Sequence, residues 1–188
     1  NKLLYNKAWS LREGGRSQNA IKKQKNKIGF KYIHDNLGTN SRMTEIQAVI
    51  CHNQLKKLNT NVKIRNRNAT MLKNVLQSFP FIEIYKYKKK YYNSYYRLYV
   101  KFIREKCENP KITRDYLLKK LIDKNIPCEE GSCSEIYNEK PFKFLKISSK
   151  KNALLLSKQS IAFQVHSNLK TSEIIDISIK IKKILQKI

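Results

Sequence analysis

The chain has 188 residues (22.2 kDa), carries 40 Lys and Arg against 14 Asp and Glu for a formal charge of +26, and is 40% hydrophobic with only 5 Gly and 4 Pro. This length holds one or at most two domains and buries enough surface to fold without disulfides or metals; the low Gly and Pro content excludes collagen-like and low-complexity chains, and the lack of an apolar run of about 18 residues excludes a membrane span. The charge puts polyanions among the candidate partners, but it is made of 32 Lys and only 8 Arg, whereas bidentate recognition of phosphates and bases draws on Arg, so a coding bias toward Lys, Asn and Ile explains the surplus better than a nucleic-acid or membrane-surface role.

The chain begins at Asn1 rather than Met, so it reads as a processed or cut-down product or as a fragment of something longer, and no signal peptide is visible in it, because no apolar stretch follows a basic start. Residues 1–30 are polar and basic, with a break at Gly14-Gly15 and a solvated segment over 22–27. After a turn at Gly38, Thr44-Glu45-Ile46-Gln47 has the T-x-x-Q form of a capping box, a helix-start signal. No Gly or Pro intervenes from Met43 to Phe79, and Met43, Ile46, Ile50, Leu55, Leu58, Val62, Ala69, Leu72 and Leu76 recur at helical spacing. This predicts one long helix or two abutting helices, amphipathic and facing a core.

Residues 82–87 and 95–103 alternate and are rich in β-branched and aromatic side chains, which predicts two antiparallel strands joined by a turn over 88–93. Thr113 is placed to cap a helix with Leu117, Leu118, Leu121 and Ile122 on one side, ended by Ile126-Pro127. Residues 127–149 read as irregular, 150–158 as a short helix and 161–165 as a strand. Thr171 is expected to cap the last helix, whose Ile174, Ile177, Ile181, Ile184 and Ile188 form a buried stripe. The fold class is α/β (α+β): a small layered domain with helices on a mainly antiparallel sheet.

Three stretches could carry chemistry. Gly38-Thr39-Asn40-Ser41-Arg42 leads into the long helix. Unpaired N–H groups at a helix start attract anions, Asn40 adds amide donors and Arg42 a planar guanidinium. A plain cap with a surface arginine is the alternative. Tyrosines interleaved with cations over 85–99 could stack bases, or could simply alternate between core and solvent in a hairpin. Ser132, Ser134, Glu135 and Tyr137 in the loop after Gly131 could line a pocket. Cys133 in that loop has no histidine close in sequence, which argues against a thiol nucleophile. The other cysteines, Cys51, Cys107 and Cys128, and the histidines, His34, His52 and His166, lack the spacing of a metal site.

The run from Gly38 to Ala48, with Gln54-Leu55-Lys56-Lys57-Leu58 and Arg65-x-Arg67-Asn68-Ala69, resembles the DegT/DnrJ/StrS family of pyridoxal-phosphate sugar aminotransferases. There the pattern is G-x-N-x-R-M-T-E-x-Q-A-A, Q-L-x-K-L and R-x-x-N-A. Ala8 to Arg12, Ile126 to Lys140 and Ile161 to His166 are similar to further family segments in the same order. The resemblance implies a fold-type I enzyme acting as a homodimer in the cytoplasm. It moves an amino group from glutamate to a nucleotide-linked keto sugar, for surface-glycan synthesis. It implies that Asn40 reaches the cofactor phosphate of the dimer mate, with Arg42 beside it, and that Ser132, Ser134, Glu135 and Tyr137 lie near the substrate. Residues 1–42 would be the tail of the large domain with the cofactor-phosphate loop, and 43–188 the C-terminal small domain with its long connecting helix.

Departures from the pattern are modest: Ser41 stands where an aromatic is usual, Glu13-Gly14 replaces Asp-His, and Ser167 replaces a proline. The family's Schiff-base lysine segment, Ser-Phe-x-x-x-Lys followed by Gly-Glu-Gly-Gly, does not occur in the 188 residues. The chain is therefore expected to resemble only the C-terminal half, to have no catalytic residue of its own and to be inactive alone. The competing readings are a basic nucleic-acid-binding module using 86–97 and an inactive remnant of a split gene.

Overall fold

The computed structural model describes residues 1–88, 91–131 and 135–188. It divides into two units, Asn1–Lys56 and Lys57–Ile188, with the boundary inside a long helix.

The first unit holds α1 (Lys2–Arg12), α2 (Gln18–Lys23) and the start of α3 (Glu45–Leu76). The first two helices were not expected from a polar, basic stretch. Asn1 starts α1, its side-chain oxygen accepting the N–H groups of Leu3 (3.0 Å) and Leu4 (3.4 Å), and Ser17 caps α2 by accepting from Ala20 N–H at 3.2 Å. Periodicity missed α1 because Leu3, Leu4 and Leu11 are all exposed, so no stripe marks a buried face.

The expected long helix is a single element, α3, and its capping box is complete. Thr44 Oγ1 accepts from Gln47 N–H (3.3 Å), and Gln47 Oε1 accepts from Thr44 N–H (3.0 Å). Its apolar stripe does not face a core along its whole length. Ile46, Val49, Ile50, Leu55 and Leu58 are exposed, and burial begins only at Asn68, Ala69, Leu72 and Leu76. A period of 3.6 marks a face that can be covered, not one that is covered within this chain.

The second unit is built on a four-stranded antiparallel sheet in the order β1-β2-β4-β3, with β1 Ile82–Ile84, β2 Leu98–Phe102, β3 Cys128–Glu130 and β4 Ser160–Phe163. Leu98, Val100 and Phe102 alternate into the core from β2, whereas Ile161, Ala162 and Phe163 of the other central strand are all buried. Opposite Lys101, Glu83 forms a cross-strand ion pair at 2.8 Å. α4 (Arg114–Ile122), α5 (Lys151–Gln159) and α6 (Thr171–Leu185) complete the unit. Leu117, Leu118 and Leu121 of α4 join Ile174, Ile177, Ile181 and Leu185 of α6 and the end of α3 in one core.

Four details differ from the pattern reading. Ile122 is exposed, because α4 ends there and the chain turns away through Asn125 at φ 56°. Lys170, not Thr171, precedes the first turn of α6, and the Glu173 carboxylate accepts its N–H at 2.7 Å. The segment after Pro127 contains β3, a strand of three residues and too short for alternation to register. The strand expected to begin at 95 begins at 98, because Tyr95 takes a left-handed φ of 45° with its N–H on Asn93 Oδ1 at 2.8 Å.

Asn68, fully buried, donates from its amide to the carbonyl of His166 at 3.2 Å, and its oxygen accepts from the Arg67 guanidinium at 3.0 Å. The Arg-Asn-Ala portion of that motif therefore ties α3 to the chain leaving β4. Burial, and then the neighbouring charge of Glu129, push the Cys128 thiol up to about 12. At pH 8 its thiolate fraction is roughly four decades below unity. Iodoacetamide at pH 8 is expected to modify the exposed Cys51 and leave Cys128 untouched, read by peptide mass mapping; equal labelling of the two would contradict this environment.

Candidate functional site

The phosphate-site candidates sit on a backbone arrangement that two glycines permit. Gly15 has φ 87°, and a Cβ there would lie 1.7 Å from the Asn36 carbonyl oxygen; a Cβ on Gly38 would lie 2.3 Å from Gly15 N. With both side chains absent, residues 33–41 close around residues 11–17. The Gly15 carbonyl accepts the N–H groups of Asp35 and Asn36 at 3.1 Å each. Thr39 N–H donates to Leu11 O (2.9 Å), Gly14 N–H to Thr39 O (3.0 Å) and Ser41 N–H to Arg12 O (3.0 Å). Glu13 and Asn40 face each other in an isolated antiparallel bridge.

This ladder brings Asn40 and Arg42 together. Arg42 Nε donates to Asn40 Oδ1 at 3.2 Å, which leaves the Asn40 amide hydrogens directed elsewhere. Glu13 organises the charges: one carboxylate oxygen lies 2.9 Å from the Arg12 guanidinium and the other 3.5 Å from Arg42 Nε. The Glu13 side chain is only 9% exposed while Arg42 is 56% exposed, so the acid is held inside and the guanidinium faces outward. Two guanidinium groups share one carboxylate, leaving one net positive charge and an open donor set. That set fits a phosphate group: an amide, a fork-shaped cation, and the hydroxyls of Thr39 and Ser41, which lie 2.8 Å apart. The donors are these side chains rather than the first turn of α3, where Glu45 and the cap already answer the dipole. Composition and spacing did not point to Glu13; an isolated acid between Arg12 and a glycine pair was the available signal.

Glu135 and Tyr137 also meet; Ser132, Cys133 and Ser134 lie outside the described residues. The Glu135 carboxylate accepts from Tyr137 Oη (2.5 Å) and Ser149 Oγ (2.6 Å), and Tyr137 Oη accepts from Lys150 N–H at 2.7 Å. These bonds staple the start of the loop to its end. Ser149 and Lys150, 14 and 13 residues away respectively, could not be paired with them from sequence. The hydrogen bond from Ser149 and then that from Tyr137 hold the Glu135 carboxyl below its ordinary value of 4.5. A depressed carboxyl contributes stability above its unfolded value, lost as pH falls through the lower native one. A carboxyl-carbon NMR titration is expected to place the Glu135 midpoint below 4.5 and to move it upward in Ser149→Ala; coincident midpoints would contradict the staple.

In the aromatic stretch, Tyr95 is buried and hydrogen-bonded to Lys73 Nζ, and its ring meets Tyr87 edge-on at 6.4 Å. Tyr91, Tyr92 and Tyr96 are exposed, and Lys89 and Lys90 lie outside the described residues. Among the described residues, no group of three His, Cys, Asp or Glu side chains could hold a metal, and no helix is long and apolar enough to cross a membrane.

The family model for the DegT/DnrJ/EryC1/StrS aminotransferases matches residues 1–182. The GDP-4-keto-6-deoxy-D-mannose 3-dehydratase of Yersinia pseudotuberculosis is 35% identical over 99 residues, 53% of this chain and 23% of that protein. Among solved structures, an aminotransferase from Psychrobacter cryohalolentis matches with a TM-score of 0.87 at 28% identity, over 100% of this chain and 50% of its own. The Helicobacter pylori aminotransferase involved in the biosynthesis of pseudoaminic acid matches with a TM-score of 0.79 at 19% identity, over 100% of this chain and 47% of its own. The chain spans about half the length of these solved relatives and about a quarter of the curated one.

Proposed function

The chain belongs to the DegT/DnrJ/EryC1/StrS aminotransferase family, and we propose that it supplies the C-terminal portion of a pyridoxal-phosphate-dependent enzyme that aminates a nucleotide-linked keto sugar. In this reading glutamate is the amino donor, the enzyme is a cytoplasmic homodimer, and its product feeds surface-glycan synthesis. Residues 1–42 are the tail of the cofactor domain and 43–188 the small domain. The observation that carries the reading is the family match over 1–182 together with an outward-facing Asn40–Arg42 pair whose donor set suits a phosphate.

Pyridoxal phosphate, when bound, supplies the electron sink for amino-group transfer. What this chain contributes is position and charge. Arg42 and the amide of Asn40 hold the phosphate end, with Glu13 fixing the guanidinium against rotation. Ser132, Ser134, Glu135 and Tyr137 offer hydroxyls and a carboxylate to the sugar. Glu135, kept ionised by its donors, accepts hydrogen bonds from sugar hydroxyls rather than acting as an acid near neutral pH. No residue of this chain is assigned the role of nucleophile.

The 188 residues supplied with pyridoxal phosphate and glutamate are expected to show no visible absorption from covalently held cofactor and no amino transfer. Adding a polypeptide that carries the family's lysine segment is expected to restore both. Turnover by the 188 residues alone, or failure of the combined polypeptides to recover it, would overturn the proposal.

A further inference from the structure

In the second unit α4 and α6 lie in contact, and a groove of about 400 Å³ opens along them. Five of the side chains around it are lysines: Lys120 and Lys124 on one side, and Lys180, Lys183 and Lys187 on the other. No Asp or Glu is among the lining residues. Asp176 pairs with Lys180 at 2.6 Å; among the described residues the other four ammonium groups have no ion-pair partner. The floor is apolar, made by Tyr116, Ile184 and Ile188, and Lys120 Nζ lies 5.4 Å from the Tyr116 ring centroid.

A concavity of this volume is roughly 9 Å across, close to the Debye length at physiological salt, so the ammonium groups feel one another's repulsion. A coding bias toward lysine spreads charge over a surface; it does not account for five around one apolar floor with no Asp or Glu among the lining residues. A ligand that relieves the repulsion must carry several negative charges within a few ångströms. Lysine ammonium groups act as point charges able to meet phosphate oxygens from several directions. The volume falls within the range of small-molecule sites, and a half-exposed tyrosine beside two isoleucines suits a flat heterocycle.

We propose that this groove binds a nucleoside polyphosphate, its phosphates among the lysines and its base against Tyr116, Ile184 and Ile188. The site uses neither Asn40 nor Arg42 and goes beyond the aminotransferase reading.

Titration calorimetry of the 188-residue chain with ATP tests this. Saturable one-to-one binding is expected, weakened at least thirtyfold in Lys120→Glu/Lys187→Glu and at least fivefold in Lys120→Gln/Lys187→Gln. Lys22→Glu/Lys23→Glu on α2 makes the same change in net charge and is expected to alter the affinity less than twofold. Inorganic tripolyphosphate is expected to bind at least tenfold more weakly than ATP. Equal weakening by the two charge reversals would assign the binding to net charge. Equal affinity for tripolyphosphate would remove the base from the site, and binding only to anionic phospholipid vesicles would make the groove a membrane contact. Any of these, or no saturable binding of ATP, would overturn the proposal.

Discussion

Replacing Gly15 with alanine is expected to loosen the turn that carries Asn40 by about 3 kcal/mol, while the same change at the adjacent Gly14 costs about 1 kcal/mol. Both glycines have positive φ, 69° at Gly14 and 87° at Gly15, so both substitutions incur the left-handed backbone penalty of roughly 1–2 kcal/mol. Only Gly15 meets a second obstacle. A Cβ on Gly14 would have nothing within 4 Å, whereas one on Gly15 would overlap the backbone oxygen of Asn36 at 1.7 Å. That oxygen belongs to the main chain and cannot swing aside as a flexible side-chain end could, so the segment 33–41 must shift. Overpacking of this kind costs about 1–3 kcal/mol. Native-state hydrogen exchange reads it directly. The Gly14, Thr39 and Ser41 amides, which donate across this turn, are expected to exchange roughly a hundredfold faster in Gly15→Ala and less than tenfold faster in Gly14→Ala. Equal effects at the two positions would mean that the close approach of the two backbone segments does not hold the site.

The parts of the fold legible in the sequence are those where local pattern and burial coincide. The stripe of α6 was visible because Ile174, Ile177 and Ile181 are both periodic and buried. The capping box of α3 and the Thr113 cap of α4 were visible because both ends of each hydrogen bond lie within four residues. Where the two signals part, the reading failed. α1 has a capping residue but no buried stripe, and β3 has a ladder partner but only three residues. The same division runs through the candidate sites. Asn40 and Arg42 sit two residues apart, so their proximity was written in the chain. The Glu13 that orients Arg42 is 29 positions away in sequence, and the Ser149 that holds Glu135 is 14 away, brought close only by the fold. The stripe on the first half of α3 shows the opposite error: its periodicity is real, and Ile46, Val49 and Ile50 are nevertheless exposed.

The second large effect concerns the phosphate. A hydrogen bond to a charged group contributes about 1.5–3 kcal/mol, so under the proposed function removing either Asn40 or Arg42 is expected to weaken pyridoxal phosphate binding roughly tenfold to a hundredfold once this chain is combined with the polypeptide that carries the lysine segment. The two losses are not expected to add fully, because Arg42 Nε donates to Asn40 Oδ1 and each side chain orients the other. Arg42→Lys keeps the charge but loses the planar fork, and an intermediate affinity is expected.

The most direct measurement is the pair of dissociation constants for pyridoxal phosphate and for pyridoxal, which lacks the phosphate, in this chain combined with the polypeptide that carries the lysine segment, with and without Asn40→Ala and Arg42→Ala. The account predicts that both substitutions weaken the phosphorylated cofactor by tenfold or more and change the affinity for pyridoxal by less than twofold. Equal losses for the two ligands, or no loss for either, would contradict it.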